Sequence, residues 1–160
     1  IIYLLVRINL GGPAFFLQER VGKDNKIFKM IKFRTMKNST DKDGNLLSDN
    51  ERLTKFGRFL RSFSIDELPE LINILKGDMS LVGPRPSLPK EVKQFEKWMF
   101  KRLTVKPGLT CYWQVSGRNN IDFEDWMKLD IRYVDERNFW IDIKLIFKTV
   151  LVLFGDKNAS

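Results

Sequence analysis

The chain has 160 residues, with 28 Lys and Arg against 20 Asp and Glu and a formal net charge of +8. Its hydrophobic content of 43%, including 13 Phe and 4 Trp, suits the core of one folded domain; disorder is excluded, and the charge directs attention to anionic partners such as nucleic acid, phosphorylated metabolites or lipid headgroups. The single cysteine excludes an internal disulfide, and the absence of histidine excludes the usual zinc ligand sets and a histidine general base. Carboxylates, Lys, Arg, Tyr, hydroxyls, one thiol or a hard cation such as magnesium remain to carry any chemistry.

The apolar run Ile1 to Val6 lacks an initiator Met and is far shorter than the roughly 20 residues that span a bilayer. It reads as a buried opening element or as the end of something longer, which makes the chain a fragment. Gly11-Gly12-Pro13 breaks it. Ala14 to Glu19 and Ile27 to Phe33 read as short strands about a turn at Gly22 to Asn25, a small hairpin. Ser39 to Asn50 is polar, contains Gly44 and reads as an exposed loop long enough to act as a lid. From Glu51, Leu53, Phe56, Leu60 and Phe63 recur at helical spacing, while Arg52, Lys55, Arg58 and Arg61 recur every third position. One basic amphipathic helix is predicted, its charged side either simply solvated or facing phosphates or anionic lipid.

Two adjacent carboxylates, Asp66 and Glu67, then open a helix that runs through Leu68, Leu71, Ile72 and Leu75 to a stop at Gly77. With Ser64 as N-cap, Glu67 completes a capping box, but Pro69 falls where its missing N–H forfeits a bond to the Ile65 carbonyl. A start at Asp66 makes Pro69 the third helical residue, whose N–H has no helical partner in any case, and this phasing is preferred. Either way the carboxylates lie near a helix N-terminus, whose dipole favours their ionised form and whose N–H groups suit a phosphate.

Gly77 to Pro86 reads as a compact loop in which Pro84 and Pro86 restrain Arg85, a suitable clamp for an anion. Leu88 to Leu103 resumes helical spacing through Val92, Phe95, Trp98 and Met99, with Lys90, Lys93, Lys97 and Lys101 on the other side. Lys106-Pro107-Gly108 is a turn, Leu109 to Val115 a strand, and Ser116-Gly117-Arg118-Asn119 a second turn that presents another arginine. A helix starting at Asp122 or Asp125 precedes an apolar segment from Trp140 to Phe154, suited equally to burial or to a membrane interface. The expected fold is a single α+β domain over residues 1–160, predominantly helical, with a small β-hairpin and amphipathic helices at a membrane interface.

Several of these segments occur as ordered blocks: Lys32-Phe33-Arg34-Thr35-Met36, Arg61 to Pro69, Lys76 to Pro86, Lys106-Pro107-Gly108-Leu109-Thr110 and Gln114 to Asn119. Together, over nearly the whole chain from about Gly11, they closely resemble the bacterial polyprenyl-phosphate phosphoglycosyl transferases, the monotopic sugar transferases. The resemblance implies transfer of a sugar-1-phosphate from a UDP-sugar donor to a polyprenyl phosphate acceptor with release of UMP, a first step of surface-glycan or exopolysaccharide assembly. It implies Asp66 as the nucleophile of a covalent aspartyl-phosphosugar intermediate and Glu67 as its magnesium-binding partner. Lys32 and Arg61 match basic positions around the dyad, and Arg85 and Arg118 match positions assigned to phosphate or nucleotide contacts. The family's re-entrant membrane helix would be represented by residues 1–10, placing the domain on the cytoplasmic face of the inner membrane against an anionic surface, with no nucleic-acid partner. Cys111 stands where glycine is common in the family and reads as a small buried thiol.

The chemistry of the residues is compatible with that role. Carboxylates act as nucleophiles toward phosphoryl groups, but a diphosphate repels them unless cations such as magnesium, Lys32, Arg34, Arg61 and Arg85 neutralise it. Neighbouring helical side chains diverge by about 100°, so Asp66 and Glu67 can address different centres. Two other functions compete. One is a noncatalytic basic module binding RNA or anionic membrane through the Arg52 to Arg61 stripe; the other is a hydrolase that uses the dyad on a nucleoside diphosphate.

Overall fold

The computed structural model describes residues 1–116 and 121–155. The first helix, α1 (Ile2–Leu10), buries Val6 and Leu10, one turn apart, against Ala14 and Leu60, while Ile1, Leu4, Leu5 and Ile8 stay exposed. The expected hairpin follows as β1 (Phe15–Val21) and β2 (Ile27–Phe33), antiparallel from Phe15 opposite Phe33 to Val21 opposite Ile27, closed by a 3-10 turn at Lys23–Asn25. β2 carries Lys32 at its end, so the register of the hairpin fixes where that amine emerges.

The basic helix expected from Glu51 is instead two helices. A short α2 (Asp49–Arg52) begins inside the predicted loop, where the Ser48 N–H and hydroxyl both donate to the Glu51 carboxylate. Leu53 leaves the helix to bridge Met36, and the Thr54 hydroxyl caps α3 (Lys55–Ser62) by accepting the Gly57 N–H at 3.0 Å. A cap and a cross-chain bridge thus override a continuous 3.6-residue pattern. α3 lies very close to the end of β2: a Cβ on Gly57 would stand 1.8 Å from the Thr35 carbonyl oxygen, so only glycine fits.

Beyond α4 (Glu70–Lys76), which Gly77 ends at φ 84°, comes a strand the sequence did not signal, β3 (Ser80–Val82). It pairs in parallel with β4 (Gly108–Thr110), and the expected strand from Leu109 to Val115 stops there, its second half coiling into α6 (Tyr112–Val115). The contact leaves no room for a side chain at Gly108, whose Cβ would lie 2.1 Å from the Gly83 nitrogen.

The helix expected over Leu88 to Leu103 is also broken, into α5 (Pro89–Val92) and a run of 3-10 turns over Lys97–Thr104. Met99, Arg102 and Leu103 are the buried residues of the 3-10 run, so its inward side keeps Met99, as the helical spacing expected, and also takes in the charged Arg102. α7 (Phe123–Glu136) starts from Asp122, whose carboxylate accepts the Asp125 N–H at 2.8 Å, which settles the two starts the sequence allowed. α8 (Phe139–Gly155) is two-sided: Leu145 joins Val82, Cys111 and Tyr133 in a second core cluster, whereas Phe139, Trp140, Phe147 and Leu151 are exposed. The fold is α+β and predominantly helical, as expected, and among the described residues no helix is long and apolar enough to cross a membrane.

Candidate active site

The dyad does not open an α-helix. Ser64 takes a left-handed conformation at φ 51°, uncommon for a residue with a Cβ, and turns the chain sharply out of α3. Ile65–Glu67 then form a 3-10 turn, with Glu67 N–H on the Ser64 carbonyl and Leu68 N–H on the Ile65 carbonyl, and α4 begins only at Glu70 after Pro69. Neither phasing drawn from the sequence describes this. Bonds three residues apart accommodate Pro69, which lacks the N–H for a bond back to Ile65, and Glu67 is engaged by cations rather than in a capping box. With three residues per turn, Asp66 and Glu67 diverge by about 120°.

Glu67 and the buried Glu70, three residues on, share one amine. Lys32 Nζ lies 2.7 Å from Glu67 Oε1 and 3.3 Å from Glu70 Oε1, and Arg85 approaches the same Glu67 oxygen at 3.7 Å. Asn73 secures this geometry. It is 1% exposed, its Oδ1 accepts the Ile31 N–H at 3.0 Å, and its Nδ2 donates to the Lys29 carbonyl at 2.9 Å, so α4 is bound to β2 directly beside Lys32. Sequence reasoning passed over Glu70 and Asn73. Their only signal was polarity on the face opposite Leu68, Leu71, Ile72 and Leu75, which looked like solvent; instead the apolar face is exposed and the polar face buried.

A cleft of about 810 Å³ opens above the dyad and is lined by Lys32, Arg34, Arg61, Asp66, Glu67 and Arg85, all of them expected site residues. Arg118 falls outside the described residues. Arg61 is directed by a bond from its Nε to the Thr35 hydroxyl at 3.0 Å, a contact that depends on the close approach at Gly57. The Arg34 guanidinium rests over Gly12, where a Cβ would meet it at 2.7 Å. Arg52 and Trp113 complete the wall, and Arg85 stacks on the Trp113 ring with its Cζ 5.3 Å from the ring centre. Trp113 went unnoticed because it sat within an expected strand.

Burial, reinforced by the neighbouring Glu67, pushes the Asp66 carboxyl up to about 6, against the pull of Lys32 and Arg61. Glu70 rises to about 7, again through burial first and Glu67 second. Lys32, within ion-pair distance, pulls the Glu70 carboxyl down, but burial and the Glu67 charge outweigh it. Such a site has a carboxylate that is ionised yet basic near neutral pH, facing a cavity lined by cations. Among the described residues no group of three or more acidic or thiol side chains could cage a metal. Magnesium needs no such cage: it keeps several waters and is held by one or two carboxylates together with substrate phosphates, which two carboxylates on a cleft wall can provide.

Residues 1–156 match the family model described as bacterial sugar transferase. The chain is 49% identical over 146 residues to an uncharacterized sugar transferase, EpsL, of Bacillus subtilis, covering 91% of this chain and 72% of that protein. It is 47% identical over 160 residues to the galactosyl transferase CpsE of Streptococcus agalactiae, covering 91% of this chain and 36% of the relative. With the undecaprenyl-phosphate galactose phosphotransferase of Salmonella typhimurium the identity is 40% over 177 residues, covering 99% of this chain and 37% of the relative. The chain thus spans little more than a third of the length of the last two. With a family match over nearly its whole length and a cleft that gathers the expected carboxylates and cations, the chain belongs to the bacterial sugar transferases.

Proposed function

We propose that this domain transfers a sugar-1-phosphate from a UDP-sugar to a polyprenyl phosphate, through a covalent intermediate on Asp66, at the start of surface-glycan assembly. The observation that carries the reading is the cleft in which Asp66, its carboxyl raised to about 6 by burial, faces Lys32, Arg34, Arg61 and Arg85. At neutral pH Asp66 is ionised but more nucleophilic than an exposed aspartate. One carboxylate oxygen attacks the sugar-bearing phosphorus; the bond from that phosphorus to the bridging oxygen breaks, and UMP leaves with the electron pair. A phosphate oxygen of the polyprenyl phosphate then attacks the same phosphorus, and the acyl–phosphate bond breaks to restore the Asp66 carboxylate. Lys32, Arg34, Arg61 and Arg85 offset the charge of the diphosphate as the carboxylate approaches. Glu67, diverging from Asp66, would hold magnesium together with the donor phosphates, and the ion would supply further charge neutralisation.

The acceptor is a lipid, and the surface is compatible with a bilayer. Leu71, Ile72 and Leu75 on α4 and Leu68 just before it are exposed by 40–88%, Leu4, Leu5 and Ile8 on α1 and Ile1 before it are exposed too, and Lys55 and Arg58 present positive charge from α3. Exposed leucine rows beside basic residues suit an anionic membrane surface. The names of the relatives support the substrate class: the Salmonella protein is a phosphotransferase of galactose and undecaprenyl phosphate, and one of Erwinia amylovora is a UDP-galactose-lipid carrier transferase. A nucleotide-sugar donor would be drawn from the cytoplasm, so the proposed reaction is one of the cytoplasmic face of the inner membrane.

The test is intact mass after incubation with a panel of UDP-sugars. An added sugar phosphate on the protein, absent in Asp66→Asn, together with UMP release that is slowed about 10³-fold or more in that variant, is the expected result. Normal turnover by Asp66→Asn would remove Asp66 from the role. Sustained UMP release without polyprenyl phosphate would identify a hydrolase.

A further inference from the structure

Arg85 is held in the cleft from two sides by one buried ion pair. Arg102 and Asp130 are 1% and 0% exposed, and the Arg102 guanidinium makes an ion pair with Asp130 Oδ2 in the core. The two terminal nitrogens of Arg102 also reach the Arg85 loop: one donates to the Ser87 hydroxyl, and the other, which pairs with Asp130, reaches the Arg85 carbonyl at 2.6 Å. Ser87 in turn accepts the Val21 N–H on its carbonyl at 2.9 Å, which ties the loop to the hairpin.

The side chain of Arg85 connects to the same pair by a second route. Its guanidinium stacks on Trp113, Trp113 lies 5.3 Å from Trp126 at an interplanar angle of 33°, and Trp126 carries the Arg102 guanidinium at 5.3 Å from its ring centre. Main chain and side chain of Arg85 are therefore referenced to one buried guanidinium, with Pro84 and Pro86 restricting the backbone between them. A buried guanidinium must have its donors paired, and here the acceptors beyond Asp130 both belong to the Arg85 loop, whereas apolar residues of the same volume commonly replace an ion pair that serves stability alone at little cost.

We propose that Arg102 and Asp130 are positioning residues for Arg85, holding its guanidinium at the donor diphosphate; the proposal rests on the transferase reading of the cleft. Lysine at position 102 keeps the charge opposite Asp130 but cannot reach three acceptors in a planar fork. Ser87→Ala removes one acceptor without unpairing Asp130, and so provides a milder variant if Arg102→Lys does not fold.

Both variants are made in the native background and with Arg85→Ala, with two readouts: kcat/KM for UMP release, and the NMR signal of the Arg85 Nε–Hε group, assigned by its loss in Arg85→Ala. Arg102→Lys is expected to lower kcat/KM about 10- to 100-fold in the native background, the scale of a misplaced binding group. With Arg85 already removed, the further loss is expected to be less than about twofold, since the two residues act as one unit. The Arg85 signal moves toward that of free arginine in Arg102→Lys and shifts part of the way in Ser87→Ala. Equal losses of kcat/KM in the two backgrounds, or an unmoved Arg85 signal in a folded variant, overturn the proposal. Absence of UMP release by the unmodified protein overturns the transferase reading instead, and the Arg85 signal then still decides whether the pair positions it.

Discussion

Replacing Glu70 with glutamine separates two opposed forces at the heart of the site. Burial and the Glu67 charge raise the Glu70 carboxyl from 4.5 to about 7, whereas Lys32 at 3.3 Å favours its ionised form. The sign follows from which state binds the proton more tightly. With the folded value above the unfolded one, the folded protein holds an extra proton between the two, so stability is full below about pH 4.5 and is lost as pH rises through about 7. A rise of this size corresponds to about 3 kcal/mol once both transitions are passed. Glutamine keeps an oxygen for Lys32 but carries no charge to bury. Glu70→Gln should therefore match the unmodified protein near pH 4 and exceed it by about 3 kcal/mol at pH 8, which is roughly 6–12 °C of melting temperature for a domain of this size. Thermal melts of both proteins across that range, in one buffer series at constant ionic strength, provide the comparison. If Glu70→Gln melts lower at pH 8, or the gap does not widen with pH, the Lys32 pair outweighs the burial penalty and the balance drawn here is wrong.

Asn73→Ala leaves the Ile31 N–H and the Lys29 carbonyl without their buried partner, and urea unfolding should report a loss of about 3 kcal/mol. Gly57→Ala drives a methyl into the Thr35 carbonyl and should cost about 3 kcal/mol while detaching Arg61 from the Thr35 hydroxyl, visible as lower stability together with a raised donor KM. The proposed attack by Asp66 needs its ionised form and its carboxyl sits at about 6, so kcat/KM for UMP release should fall as pH drops through that value. Lys32→Met removes a cation that lowers the Asp66 value, so the acid limb should move to higher pH; an unmoved limb assigns the titration to another group. Chelation should abolish turnover and magnesium restore it; full activity in chelator excludes a metal from Glu67.

The parts of the fold legible in the sequence were those set by local rules. The hairpin was visible because turn residues separate two β-rich runs, α7 because Asp122 caps it, and the α4 stop because Gly77 alone can take φ 84° without strain. The failures share one cause, a tertiary contact that outbids periodicity. Leu53 leaves its helix to bridge Met36, the chain from Lys97 to Thr104 tightens to three residues per turn where Arg102 pairs with Asp130, and β3 forms where β4 arrives beside it.

The candidate site was legible by residue identity and opaque in geometry, and α4 explains the difference. Its leucines and isoleucine repeat at helical spacing, and in a water-soluble domain that face packs inward. Here Glu70 and Asn73 are buried instead, holding Lys32 and β2, while Leu75 is 88% exposed. Burying the polar face is favourable because each polar group on it is paired, and exposing the leucines is tolerable if the surroundings are lipid rather than water. The proposed reaction, with one water-soluble and one lipid substrate, gives this inversion a use at the helix that follows Asp66. On that proposal the charged donor would meet cations and carboxylates assembled on the inner side of α4, and the acceptor's isoprenoid tail would have an apolar approach on the outer side. Sequence periodicity reports that α4 has two faces; only the position of Lys32 beneath it determines which face is inside.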